Sequence, residues 1–115
     1  MRGSLLGKER LCRLEEIPDG GLRLFRTKAG EILVFRRGDK VYGYDNKCPH
    51  LGFSLYLGTL SGSRLRCGYH GEVFDLETGE PEGKVVKKGL IKKALVLEMG
   101  DGEGRTVYLI GGGVD

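Results

Sequence analysis

Cys48 and His50 stand two positions apart in "NKCPHLG", and Cys67 and His70 stand three apart in "RCGYHGE", with residues 51 through 66 between the pairs. The chain has three cysteines and two histidines, so these two short segments carry four of its five soft metal-binding side chains. Each segment offers one thiolate and one imidazole. Ligands so close in sequence reach a common centre only from a tight turn, which Gly52, Gly68 and Gly71 permit and Pro49 stiffens. The chemistry implied is metal binding by cysteine and histidine together. An odd, small number of cysteines gives no disulfide framework. The remaining one, Cys12 in "RLCRLEEI", reads as a small buried hydrophobe on a strand.

More than one metal centre uses such donors. A single zinc ion accepts two cysteines and two histidines, and a zinc-stapled binding module is one reading of the four residues. Common zinc fingers pair like ligands in sequence, whereas each segment here is mixed. A blue-copper centre takes two histidines, one cysteine and a distant methionine, and a second thiolate does not fit it.

The elements that must carry these loops are short strands. Glycine makes up 21 of 115 residues and falls between apolar segments, the mark of many turns. "EILVFRRGDKVYGYD" holds two strand-like runs about Gly38-Asp39, a glycine-first pair suited to a two-residue hairpin, and "LRLFRTKAGEILVF" gives the same signal about Ala29-Gly30. "SRLRC", "EVFDL", "KKALVLEM" and "RTVYLI" predict further strands. Leu90, Ile91, Ala94, Leu95 and Glu98 could line a helical face, but Val96, Leu97 and Met99 break it, and a strand is the better reading. "GDGEGR" lacks the lysine and following helix of a phosphate-binding loop and predicts a hairpin turn. The chain reads as all-β.

A chain of 115 residues is expected to form a single domain, residues 1–115, with no room for a second catalytic one. Its hydrophobic fraction of 39% and charged fraction of 30% are those of a soluble globular protein, and no apolar run has the length of a membrane span. "SLLG" near the start is too short for the apolar part of a secretory signal, so a cytoplasmic, monomeric protein without membrane contact is expected. The net charge of +3 gathers partly at Lys84, Lys87, Lys88, Lys92 and Lys93. That segment contains no aromatic residue on which a base could stack, so it reads as a solvated face and nucleic acid is not expected as a partner.

The spacing C-x-H, about sixteen residues, then C-x-x-H resembles the motif of Rieske-type ferredoxins, and Cys48, His50, Cys67 and His70 match it without a gap. The flanks agree: "CPHLG" and "CGYHG" are similar to the family's two cluster loops, and "EVFDLETGEP" to the hairpin that follows them. The resemblance spans roughly residues 10 to 110. It implies an antiparallel β sandwich or barrel as basal domain, with a small cluster-binding subdomain at about residues 45–75. It implies one [2Fe–2S] cluster, with both cysteines on one iron and both histidines on the other near the surface. Two ferric ions, two sulfides and two thiolates sum to zero when the imidazoles are neutral, which raises the potential above that of a cluster held by four thiolates.

Departures from respiratory relatives narrow the class. Those resemble "CTHLGC" and "CPCHGS", whose additional cysteines form a disulfide, whereas this chain has Phe53 and Tyr69 at the corresponding positions. The serine and tyrosine whose hydroxyls raise the respiratory potential correspond here to Glu72 and Phe74, and the proline-rich covering loop is represented only by Pro81. The resemblance is therefore to the soluble ferredoxins of oxygenase systems, with a potential toward the low end of the Rieske range, of order −150 mV. It implies an electron carrier, not itself an enzyme, with a reductase and a terminal oxygenase as partners. Leu51, Phe53 and Tyr69 would pack about the cluster or form a shallow docking patch. A small Rieske-fold subunit of an assimilatory nitrite reductase is the alternative within the fold.

Overall fold

The computed structural model describes residues 7–49, 54–68, 72–83, 88–99 and 104–110. Among the described residues, ten short strands make three antiparallel sheets. β2 (Leu22–Thr27), β3 (Gly30–Arg37), β4 (Lys40–Asp45) and β8 (Lys92–Lys93) form a four-stranded sheet in that order. β1 (Lys8–Arg13), β10 (Arg105–Ile110) and β9 (Leu95–Met99) form a second. β5 (Thr59–Ser61), β6 (Arg64–Arg66) and β7 (Val73–Asp75) form the third, which adjoins the cysteine loops.

β3 joins two cores. Successive side chains of a strand point to opposite faces, and the run Ile32, Leu33, Val34, Phe35 is wholly buried. Ile32 and Val34 pack with Cys12, Leu14, Ile17, Val107 and Leu109. Leu33 and Phe35 pack on the other side with Tyr44, Leu65, Phe74, Leu76, Leu90 and both Cys48 and Cys67. One strand thus ties the sheet of the chain termini to the cysteine loops.

The hairpins follow their turn residues. Gly38 takes φ +61°, a region that costs a side-chain-bearing residue energy, and opens the β3–β4 turn. The β2–β3 turn lies at Lys28-Ala29, one position earlier than the sequence suggests, because Gly30 already pairs with Thr27. The segment "KKALVLEM" is two strands instead of one. Lys93 pairs with Gly43 and Leu95 with Leu109, so Ala94 is a corner where the chain passes from one sheet to another, its carbonyl accepting from the Ile110 amide at 2.9 Å. The register of β1 shifts between Arg10 and Cys12, which buries Cys12 beside Val107. Residues 100–103 of the expected "GDGEGR" turn lie outside the described residues.

Candidate metal centre

The two cysteine loops grow from β4 and β6. Cys48 follows the end of β4 by three residues and is 2% exposed; Cys67 follows β6 directly and is 1% exposed. Both are thiols, with no disulfide, and both belong to the same apolar cluster. Leu65 and Phe74, paired across β6 and β7, turn inward to that cluster at 1% and 0% exposure. Leu55, at 0%, enters it from a 3₁₀ turn, Leu55–Leu57, that follows the first loop.

Each loop is tied at its base. The Cys67 amide donates to the Glu72 carbonyl at 2.7 Å, closing the second loop on itself. The Glu72 side chain, 8% exposed, accepts from the Gly83 amide at 3.0 Å, and the Glu82 amide donates to the Val73 carbonyl at 2.8 Å. Pro81 bridges to Phe74. The segment after residue 80 is thereby laid along β7, and the hairpin expected of "EVFDLETGEP" is present, with the Asp75 amide donating to the Glu80 carbonyl at 2.9 Å. Tyr44, from β4, donates its hydroxyl to the Leu76 carbonyl at 2.7 Å and binds this hairpin to the main sheet. Gly58 is needed for space alone: a Cβ there would run into the Arg66 carbonyl oxygen, next to Cys67.

His50 and His70 lie outside the described residues, as do Leu51, Phe53, Tyr69 and residues 84–87. Among the described residues no three cysteine, histidine or acidic side chains gather as a metal site. The donors that can be judged are the two sulfurs. Deprotonated, two cysteine sulfurs in one apolar cluster would be costly to bury unless a cation neutralised them, and a neutral set of two ferric ions, two sulfides and two thiolates would meet that condition. The pair therefore fits a [2Fe–2S] group. Cys12 is apart from it in the other core, and burial pushes its thiol pKa up, as expected of an inert buried thiol. Asn46, two positions before Cys48, carries no metal-ligand signal in the sequence; it is buried, and its side chain bonds to Glu31 on β3 and to Ser54 and Tyr56 beyond the first loop.

Residues 8–105 match the Rieske [2Fe-2S] domain. The chain belongs to this family, whose members hold a [2Fe–2S] cluster. It is 34% identical over 73 residues to ferredoxin CarAc of Metapseudomonas resinovorans, covering 63% of this chain and 68% of that protein. It is 32% identical over 72 residues to apoptosis-inducing factor 3 of Mus musculus, again over 63% of this chain but only 12% of that much longer protein. A solved complex of reduced oxygenase and oxidized ferredoxin in carbazole 1,9a-dioxygenase contains a chain of similar fold, with TM-score 0.71 and 30% identity, covering 90% of this chain and 93% of that one. The all-β architecture is that of these ferredoxins, and among the described residues no helix is long and apolar enough to cross a membrane.

Proposed function

We propose that this chain is a one-electron carrier between a reductase and a terminal oxygenase, working in the cytoplasm. The observation that carries the reading is the burial of Cys48 and Cys67 in one apolar cluster, within a chain that matches the Rieske domain over residues 8–105. Cys48 and Cys67 would hold one iron, and His50 and His70 the other. A bound cluster supplies reversible uptake of a single electron. The protein's own part is to hold the two loops rigid and to exclude water from the sulfurs. Leu33, Phe35, Leu65 and Phe74 do the second, and the backbone bond from Cys67 to Glu72 serves the first. Residues 45–75 are the unit that would present the cluster.

A low potential belongs to the same reading. Phe74 is wholly buried and carries no hydroxyl, and the Glu72 side chain is an acceptor engaged by the Gly83 amide. Neither donates a hydrogen bond that would stabilise added charge on a cluster. The ferredoxin seen with oxygenase in the carbazole 1,9a-dioxygenase complex supports an oxygenase as acceptor. The test is a reconstituted chain of NADH, a flavin reductase and a Rieske oxygenase acting on an aromatic substrate. Product should form only when this protein is added, with a rate that saturates in its concentration. A protein reduced by dithionite yet never reoxidised by any such oxygenase would refute the assignment of acceptor.

A further inference from the structure

We propose that Asn46 is the positioning residue of the first ligand loop: standing at the loop's entry, it fixes the span that carries Cys48 through a side-chain amide that bonds to the loop's exit and to β3 at once. The proposal rests on the ligand assignment above. Asn46 stands directly after β4 and is only 4% exposed. Its Nδ2 donates to Ser54 Oγ at 2.8 Å and to Glu31 Oε1 at 3.1 Å, and its Oδ1 accepts from the Tyr56 amide at 2.9 Å. Its own amide donates to the Glu31 carbonyl at 2.9 Å. Both amide hydrogens and the carbonyl oxygen are therefore used.

The partners define the role. Glu31 is an exposed residue near the start of β3, the strand shared by both cores, so Asn46 is tied to the strand that joins them. Ser54 and Tyr56 lie beyond the loop, at the start of the 3₁₀ turn whose Leu55 packs in the same cluster as Cys48. The amide thus holds the entry of the loop to its exit and both to the sheet. The bond to Asn46, followed by that to Arg26, holds the Glu31 carboxyl below the usual carboxylate range, so this acceptor stays charged near neutrality. Neither alanine nor aspartate reproduces the set, and glutamine carries the same amide one methylene further from the backbone. Alanine leaves the Tyr56 amide and Ser54 without this partner, and aspartate keeps the acceptor but sets a carboxylate against Glu31.

A residue that only stabilises the fold and one that places a ligand differ in what they move. Partners that orient metal ligands typically change metal affinity about 10- to 100-fold when lost. The experiment compares wild type, Asn46→Ala, Ser54→Ala and Leu109→Ala, the last a truncation in the other core. Iron release to excess chelator and the EPR spectrum of the dithionite-reduced protein are recorded for each, and the thermal midpoint serves to match stability. Asn46→Ala should release iron about 10-fold faster or more, with shifted or broadened EPR features. Ser54→Ala, which removes one bond, should release it by a smaller factor that still exceeds wild type. Leu109→Ala should lose stability yet keep the wild-type spectrum.

An Asn46→Ala protein that releases iron no faster than Leu109→Ala at matched loss of stability, with an unaltered spectrum, would overturn the proposal. Should Asn46→Ala fail to fold, a wild-type release rate and spectrum in Ser54→Ala would overturn it equally. A wild-type protein that binds no iron at all would overturn the ligand assignment itself, a different failure and visible before any variant is made.

Discussion

Replacing Tyr44 by phenylalanine tests how the hairpin that follows the second cysteine loop is fastened to the main sheet. The Tyr44 phenol is 2% exposed and donates to the Leu76 carbonyl at 2.7 Å. Losing this bond and leaving a buried carbonyl short of a donor costs about 1 to 2 kcal/mol at neutral pH. The same geometry makes a pH-dependent prediction. Burial first, and then the negative charges of nearby groups led by Asp75, push the phenol pKa from its ordinary 10 up to about 12. Below pH 10 the phenol is protonated in both folded and unfolded chains, and the contribution of the bond is intact. As pH rises past 10 the unfolded chain ionises first, so stability is lost progressively until the folded pKa is reached. By pH 11 the loss amounts to about 1.4 kcal/mol, one pKa unit of differential ionisation. Tyr44→Phe has no such group, so the stability gap between wild type and variant should shrink by that amount between pH 8 and pH 11. Urea unfolding of both proteins at the two pH values measures it, and the other tyrosines cancel in the difference. A gap of unchanged size would refute the placement of Tyr44 as a buried donor.

Cys48→Ser or Cys67→Ser should abolish cluster binding and loosen both loops, because ligand binding orders them; iron and acid-labile sulfide analysis of each variant is the check, and a full cluster would remove that cysteine from the ligand set. Glu72→Ala should cost about 1.5 kcal/mol, the low end for a charge-assisted bond because the exposed Gly83 can turn to water, while Glu72→Gln keeps an acceptor and most of the stability. Thermal unfolding compares them. Glu72→Ser should in addition raise the reduction potential, by removing a negative charge next to the second loop, as voltammetry would show. Gly58→Ala should cost about 1 to 3 kcal/mol and lower iron content, since its Cβ meets the Arg66 carbonyl oxygen, a backbone atom that cannot turn away. Gly62→Ala opens into free space and, at φ +61°, should cost only the local strain of about 1 kcal/mol without loss of iron.

Much of the fold was legible because its signals are local. Gly38-Asp39 marks a turn by its own conformational freedom, and the inward Leu65 alternates with exposed Arg64 and Arg66 along β6 as Phe74 does with half-buried Val73 and Asp75 along β7. The corner at Ala94 was not legible, since nothing in "KKALVLEM" differs there; the break is imposed by two different pairing partners, β4 and β10. The short β5 and the register shift in β1 depend likewise on the strands they meet. Cys48 and Cys67 stood out by type and spacing, whereas their common burial is a property of β3, which supplies Leu33 and Phe35 from far along the chain. The role of Asn46 is not local either. An asparagine between a strand and a Cys-Pro turn reads as an ordinary turn residue until Glu31, fifteen positions away, is seen beside it.

The central claim is that two sulfurs and two imidazoles of this chain hold one [2Fe–2S] cluster. Pulsed EPR of the dithionite-reduced protein tests it most directly, because couplings to coordinated nitrogen report imidazole ligands that no chemical analysis of iron can see. The protein should be red-brown, and its reduced spectrum should show two distinct nitrogen couplings, with one of them lost when either His50 or His70 is replaced by cysteine. A colourless protein with stoichiometric zinc, or an iron–sulfur spectrum free of nitrogen coupling, would contradict it.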